Sequence, residues 1–416
     1  MTSADGGQRP CRVAVINTHP IQYFAPLYAY LNQADDIDII ALYLSDFSLR
    51  GALDRGFGQA VTWDVDLMAG YSAKFVGRNF RTIEPYGFFA AIGPALIGEI
   101  SRKRYDVVWI HGHGYAALVL AFLVAKLKGV PVFMRGETHL GLPRGGWKMR
   151  LRKSLIGTLY RHCAGLLAIG TANRLFYRAM GVPEERISTV PYTVDNQRFI
   201  AAAQIDAAER STMRKRLGVE GNAPIILYAS KFQRRKRPDN LLKAFGKLRE
   251  RGVDADLVMV GSGEMETELK AAAAGDPRIH FPGFFNQSDL PKVYAASEVF
   301  VLPSDEEPFG LIVNEVMCAS LPVVVSEVVG CAPDLVQDGV NGATFAPHDV
   351  DMLADTLDRI VRDPELRARM GAESRRIIDH WSYRECLTGL REALAKAGIA
   401  HRASSSPSPA ANMQTS

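Results

Sequence analysis

Short apolar runs rich in β-branched residues alternate with longer stretches of helical period along almost the whole chain. Strands buried on both faces read as continuous hydrophobic runs, and helical crossovers must return the chain between them, so the alternation predicts parallel sheets covered by helices. In the first half it predicts strands at 12–17, 37–43, 107–110, 131–134, 166–169 and 187–190, with helices at 21–32, 115–128 and 147–163. The second half starts afresh, with strands at 225–229, 257–260, 279–281, 299–302, 322–325 and 343–345. The fold class is α/β: two doubly wound, Rossmann-like domains facing a cleft. The domains are expected at 11–195 and 223–380, joined by a linker at 196–222 that carries a charged helix at 207–217. A helix at 381–401 is expected to cross back to the first domain. Polar residues 1–10 and the Ser- and Pro-rich residues 402–416 are expected to be disordered.

Composition narrows the function classes. With 416 residues, 47% apolar and 23% charged, the chain reads as a globular protein with room for two cores. A net charge of +4 is too small to imply nucleic acid. Cys11, Cys163, Cys318, Cys331 and Cys386 are scattered and show no metal-ligand spacing, and the N-terminus has no signal-like apolar run. The expectation is therefore a cytoplasmic protein. The uncharged run 108–125 contains His111, Gly112, His113 and Gly114, which argues for strand, loop and helix rather than a membrane span.

Three turns that follow predicted strands carry candidate chemistry. After 299–302 comes a polar turn with Glu307, then Pro308, Phe309, Gly310 and Leu311 opening an apolar helix that holds Glu315. Such turns lie at the carboxyl ends of strands, where helix N-termini offer N–H groups to phosphate. Glu307 alone equally suits a residue that merely favours the helix dipole, whereas Glu315 sits among apolar neighbours and needs a partner. After 225–229 comes a dense cationic turn, Lys231, Arg234, Arg235 and Lys236, with no Asp-x-Asp metal motif beside it. It suits a diphosphate, or simply water. After 257–260, Gly261 and Gly263 form a glycine turn, a weak signal by itself.

Together, in this order and spacing, these pieces resemble the retaining nucleotide-sugar glycosyltransferases of family 4. Glu307 and Glu315 form their Glu-x7-Glu motif, and the likeness runs over roughly 185–380. The resemblance implies the GT-B fold and no metal or other cofactor. Its substrates would be a nucleotide-diphosphate sugar donor and a hydroxyl acceptor, a glycan or a lipid-linked one among them. It implies that Lys231 and Lys236 meet the diphosphate, that Glu307 and the N–H groups of Phe309 and Gly310 hold the sugar, and that Glu315 takes the ribose. Gly261 and Gly263 would pass beneath the base or ribose, and Leu311 belongs to the same donor wall. Cys331 stands where the family often has a second glycine, which bears on the donor geometry.

The first half departs further from that family. A glycine-rich loop is replaced by Thr18, His19, Pro20, Ile21, Gln22 and Tyr23, and Glu137 falls where a family histidine is expected, with His139 two residues on. Glu137 and His139 are candidates for orienting the acceptor or stabilising the sugar cation. His19, His111, His113 and Arg135 fall at strand ends and are assigned to the acceptor side, although single histidines there are often structural. The segment 144–161, bounded by Arg144 and Arg161, has six basic residues and no acidic one. It is either a helix with one face in the core or a peripheral contact with an anionic membrane at its inner face. Transfer is the first reading; a non-hydrolysing sugar-nucleotide epimerase or an inactive sugar-nucleotide binding protein are its rivals.

Overall fold

A computed structural model describes residues 9–51, 53–54, 59–60, 62–76, 87–89, 94–102, 104–142 and 147–399. Its first sheet is built from β1 (Cys11–Asn17) and β2 (Ile37–Tyr43), next to a small ribbon of β3 (Leu53–Asp54) and β4 (Gln59–Ala60). Then come β5 (Ser72–Phe75), β6 (Val107–His111), β7 (Val132–Arg135), β8 (Gly165–Ala168) and β9 (Ile187–Thr189). The order across the sheet is β5–β2–β1–β6–β7–β8–β9, all parallel. The second sheet contains β10 (Ile225–Ala229), β11 (Asp256–Val260), β12 (Ile279–Gly283), β13 (Val299–Leu302), β14 (Val323–Ser326) and β15 (Gly342–Phe345), in the order β12–β11–β10–β13–β14–β15. Val13 faces Ile39 on one side and Val107 on the other, and Ile226 faces Leu257 and Val299. Each central strand is thus clothed in apolar side chains on both sides, as parallel sheets require. In each sheet the order reverses beside the first strand, β1 or β10, and a crevice opens at the strand ends there.

Helices cover these sheets by helical-period burial. Val350–Arg362 buries Leu353, Ala354, Leu357, Ile360 and Val361, and Asp349 caps it by accepting the Met352 N–H at 2.8 Å. The last helix, Tyr383–Lys396, starts with a Ser382/Glu385 capping box and lies against β9. Gly389 is needed there, since a Cβ would come 1.9 Å from the Thr189 carbonyl oxygen. Arg391 on the same helix grips Asp36 through two bonds of 2.8 and 2.6 Å. On the other flank, Thr171 donates its N–H and hydroxyl to Asp334 at 2.8 and 2.6 Å, tying the two lobes together.

Where the structure departs from the sequence pattern, local chemistry explains it. The helix expected at 21–32 is Ala25–Leu31, because Pro26 is tolerated only in a first turn. Strand β5 escaped prediction because Ser-Ala-Lys-Phe has no apolar run. The stretch expected to be linker holds a second helix, Asn196–Ala202, capped by Asp195 and burying Phe199. Arg9, expected to be disordered, forms a two-bond pair with Asp106 at 2.7 Å. Residues 1–8 and 402–416, expected to be disordered, lie outside the described residues.

Candidate active site

The cleft between the lobes contains a cavity of about 540 Å³. Its C-terminal wall comes from the turns after β10, β11 and β13. Strand β10 is wholly buried and delivers Ser230 and Lys231 to the rim, after which Arg234–Lys236 makes one tight turn. Lys236 is turned under, 8% exposed, and its Nζ donates to the Glu307 carboxylate. The two turns are also tied directly: the Asp305 N–H donates to the Arg235 carbonyl at 2.8 Å, and the Arg235 guanidinium donates back to the Glu306 carbonyl at 3.0 Å. Burial pulls the Lys236 ammonium below its usual range, Glu307 pulls it up, and Arg235 pulls it down. A cation held this way is costly to leave unpaired.

Gly310, with φ at 95°, swings the chain into the helix Leu311–Cys318, whose first N–H groups have no intrahelical acceptors. Gly330 passes so close behind this turn that a Cβ would lie 2.1 Å from the Pro308 carbonyl oxygen. Its N–H, and that of Cys331, hold the carbonyls of Glu307 and Phe309 at 3.1 and 2.9 Å. Cys331 is fully buried behind the turn, so its side chain does not alter the cavity wall. One helical turn further, Glu315 is 1% exposed and receives the Tyr23 hydroxyl at 2.9 Å and the Tyr294 hydroxyl at 2.5 Å. The partner that an apolar helix demanded is therefore a pair of tyrosines from opposite lobes. Burial pushes the Glu315 carboxyl above its usual range, and the hydroxyls of Tyr294 and Tyr23 pull it back. Gly261 lines the cavity beside Ser230, where a Cβ would stand 2.2 Å from the Ser230 carbonyl oxygen. Gly263 instead packs on the Phe232 backbone, away from the cavity.

The N-terminal wall is made differently. His19 lines the cavity, its Nδ1 2.9 Å from the Thr18 hydroxyl and its ring 4.2 Å from that of Phe47. Glu137 is exposed to the cavity it lines, with protein on both sides of it. The enclosing protein pushes its carboxyl up, Tyr192 and Arg135 pull it down, and Glu307 adds to the rise. His139 does not line the cavity: it is 4% exposed, accepts the Gly141 N–H on Nδ1 and donates from Nε2 to the Glu307 carbonyl at 3.0 Å. It braces the Glu307 turn rather than facing a substrate.

Three of the four residues assigned to the acceptor side are held away from the cavity. Arg135 is 2% exposed, with its guanidinium 4.9 Å from the Tyr192 ring centre, 5.4 Å from Phe24 and 5.9 Å from Trp109. The one hydrogen bond its guanidinium makes among the described residues is to the Pro191 carbonyl at 3.4 Å. His111 lies beside it, bonded to the Tyr28 hydroxyl at 3.1 Å, its protonation disfavoured first by burial and then by Arg135. His113 meets the Tyr160 hydroxyl at 3.3 Å. An aromatic cage encloses these groups inside the first lobe and leaves Nε and Nη1 of Arg135 without a hydrogen bond among the described residues, which a strand-end position in sequence does not reveal. Sequence reasoning conversely gave no role to Tyr23, Trp63, Tyr192 or Tyr294, all of which line the cavity. Their only signal is an aromatic body with a polar handle, shared with many core residues.

Among the described residues, no three His, Cys, Asp or Glu side chains gather into a metal-holding group, and no helix is long and apolar enough to cross a membrane. Comparison with known proteins adds the family. The pattern of the glycosyl transferases group 1 matches residues 209–377, and that of the glycosyl transferase 4-like domain matches 21–193. The chain is 30% identical to a D-inositol 3-phosphate glycosyltransferase of Saccharomonospora viridis, over 93% of this chain and 95% of that protein. It is 29% identical to the sulfoquinovosyl transferase of Arabidopsis thaliana, over 79% of this chain but only 64% of that longer relative. Its fold matches the Anabaena protein HepE, solved with UDP and glucose, at a TM-score of 0.69 and 17% identity, covering 92% and 99% of the two chains. With two parallel-sheet lobes facing a cleft, and a full-length relative at this identity, the chain belongs to the family 4-type, GT-B glycosyltransferases.

Proposed function

We propose that this glycosyltransferase moves a sugar from a nucleotide-diphosphate donor to a hydroxyl acceptor, with retention at the anomeric carbon and without a metal. The observation that carries the reading is the Lys236–Glu307 pair, buried at the cavity wall beside a helix N-terminus. Breaking the anomeric C–O bond leaves positive charge on the sugar and negative charge on the departing diphosphate. Lys236, Lys231 and the N–H groups of Phe309, Gly310 and Leu311 are placed to stabilise the second, which preorganised donors do without reorganising. Glu307 would then turn to the sugar hydroxyls and Glu315 to the ribose. The acceptor oxygen bonds to the anomeric carbon on the face the diphosphate leaves, and a diphosphate oxygen takes the acceptor's proton. HepE's complexes with UDP and UDP-glucose make uridine donors the first to try.

A thermal-shift screen of UDP-, GDP- and ADP-sugars in EDTA tests this reading. A ligand at 100 times its dissociation constant stabilises by about 2.7 kcal/mol, and no shift with any of them overturns it. The rival epimerase would return an altered nucleotide sugar with no acceptor present, and a purely binding protein would release no nucleoside diphosphate. A second reading places the enzyme in the cytoplasm, resting at times on an anionic membrane through 144–161. It is favoured by Leu155, 65% exposed on the helix Trp147–Arg161. The side chains of 143–153, which carry most of its basic residues, lie outside the described ones.

A further inference from the structure

The cavity has a long axis that sheet order reveals. Lys231, Lys236 and Glu307 stand at the ends of β10 and β13, in the middle of the second sheet. Beyond them the wall continues through Gly261 after β11 to Phe284, Phe285 and Gln287 after the edge strand β12. If the diphosphate sits at the cations and the ribose at Glu315, the base extends toward this β12 end. Opposite it, across the cleft, stands Trp63 of the first lobe, half-buried and part of the same cavity lining.

The chain on both sides of Trp63 is fastened to the second lobe. The Thr62 carbonyl accepts from the Asn286 side-chain amide at 2.8 Å, and the Asp64 carboxylate accepts from the Ser288 hydroxyl and, at 3.2 Å, from its N–H. The receiving segment is itself rigid, because Arg198 donates to the Gln287 carbonyl at 3.1 Å and to its side-chain oxygen at 2.9 Å. Further along, Leu67 is buried and its carbonyl accepts the Tyr71 hydroxyl at 2.5 Å, and that hydroxyl lies 2.7 Å from the Tyr43 hydroxyl of β2, which anchors the strap to the first lobe. The indole, held through its two neighbours, lines the same cavity as Phe284 and Phe285, an aromatic slot. Such a slot fits the flat face of a nucleobase, and its ordering cost is already met by the surrounding bonds.

We propose that Trp63 is a nucleobase-binding residue supplied from across the cleft, stacking on the base of the donor so that a nucleotide holds the two lobes together. The proposal rests on reading the cavity as a nucleotide-sugar site. It assigns the first lobe a share in donor recognition.

The test uses the full chain and whichever of UDP, GDP and ADP the wild type binds most tightly by calorimetry, with inorganic diphosphate as a probe that lacks a base. Trp63→Ala should weaken the nucleotide by about 5- to 160-fold, the range that loss of one base–aromatic stack implies. Inorganic diphosphate should bind both proteins alike. Trp63→Phe keeps a ring and should retain most of the nucleotide affinity. Equal weakening of nucleotide and diphosphate would make Trp63 a mere brace between lobes and overturn the proposal. So would unchanged nucleotide affinity in Trp63→Ala. If none of the three nucleotides binds the wild type, the nucleotide-sugar reading itself falls, and this proposal with it.

Discussion

The two walls of the cleft are made from the same unit, a parallel strand running into a turn, yet they use the turn in opposite ways. After β10 and β13 the turns hold Lys236 and Glu307 against each other at the cavity, with Glu315 one helical turn behind. After β6 and β7 the polar side chains Arg135, His111 and His113 fold back into aromatic surroundings of their own lobe. The lesson is that a strand-end address marks a candidate and burial decides its use. Charged groups paired at a cavity wall are within reach of a ligand's charge; those enclosed inside a lobe are not.

The comparison breaks most visibly if the C-terminal wall can lose its cation harmlessly. Lys236→Ala should cut turnover by about 100- to 1,000-fold, the usual effect of removing one preorganised charge-stabilising donor, as measured by nucleoside diphosphate release. Glu307→Gln should act mainly on kcat, since its carboxylate is assigned to the sugar.

Glu315 sharpens the contrast between binding and stability. Glu315→Gln should raise the apparent donor KM about tenfold, as a hydrogen bond to a charged group is worth about 1.5–3 kcal/mol. Its carboxyl is raised in the folded protein, so the stability it contributes is present below the ordinary carboxyl range and is lost as pH rises through the shifted value. The Gln variant should therefore melt higher than the wild type at pH 8, with the gain shrinking as pH falls toward 4. A wild type that melts higher at pH 8 would mean that its ionised carboxylate is fully compensated by Tyr23 and Tyr294.

A smaller effect is expected on the other wall. Arg135→Met should leave donor KM unchanged and lower the melting temperature, through loss of cation–π contacts worth about 0.5–2 kcal/mol. A change in KM without a change in melting would move Arg135 to the substrate. The smallest concerns 144–161: sedimentation with anionic vesicles should fall as salt rises, each basic residue giving about 1 kcal/mol near such a surface. Folded protein that stays in solution at low salt removes the membrane reading.

Much of the fold was legible because β10 and β13 are unbroken apolar runs, and β1 and β14 contain such runs at 13–16 and 323–325, whose burial on both faces leaves few alternatives. Strand β5 was not, since an edge strand gains order from β2 rather than from its own side chains. At the site, Glu307, Glu315 and Lys236 could be singled out because motif spacing and local apolar context converge on them. Trp63, Tyr294 and the inward turn of Arg135 could not. Their positions depend on residues 100 or more away in sequence, such as Ser288 over the Trp63 strap and Tyr192 over Arg135's neighbour Phe24, or on which lobe they face. Cys331 shows the converse: its departure from the family pattern suggested altered donor geometry, but the side chain lies behind the turn.

The most direct test of the account is release of nucleoside diphosphate from a panel of UDP-, GDP- and ADP-sugars by the purified protein in excess EDTA. The account predicts slow, metal-free release from at least one donor, abolished in Lys236→Ala while the variant stays folded. Release that requires Mg²⁺, equal release by the variant, or no release from any donor with or without an acceptor would contradict it.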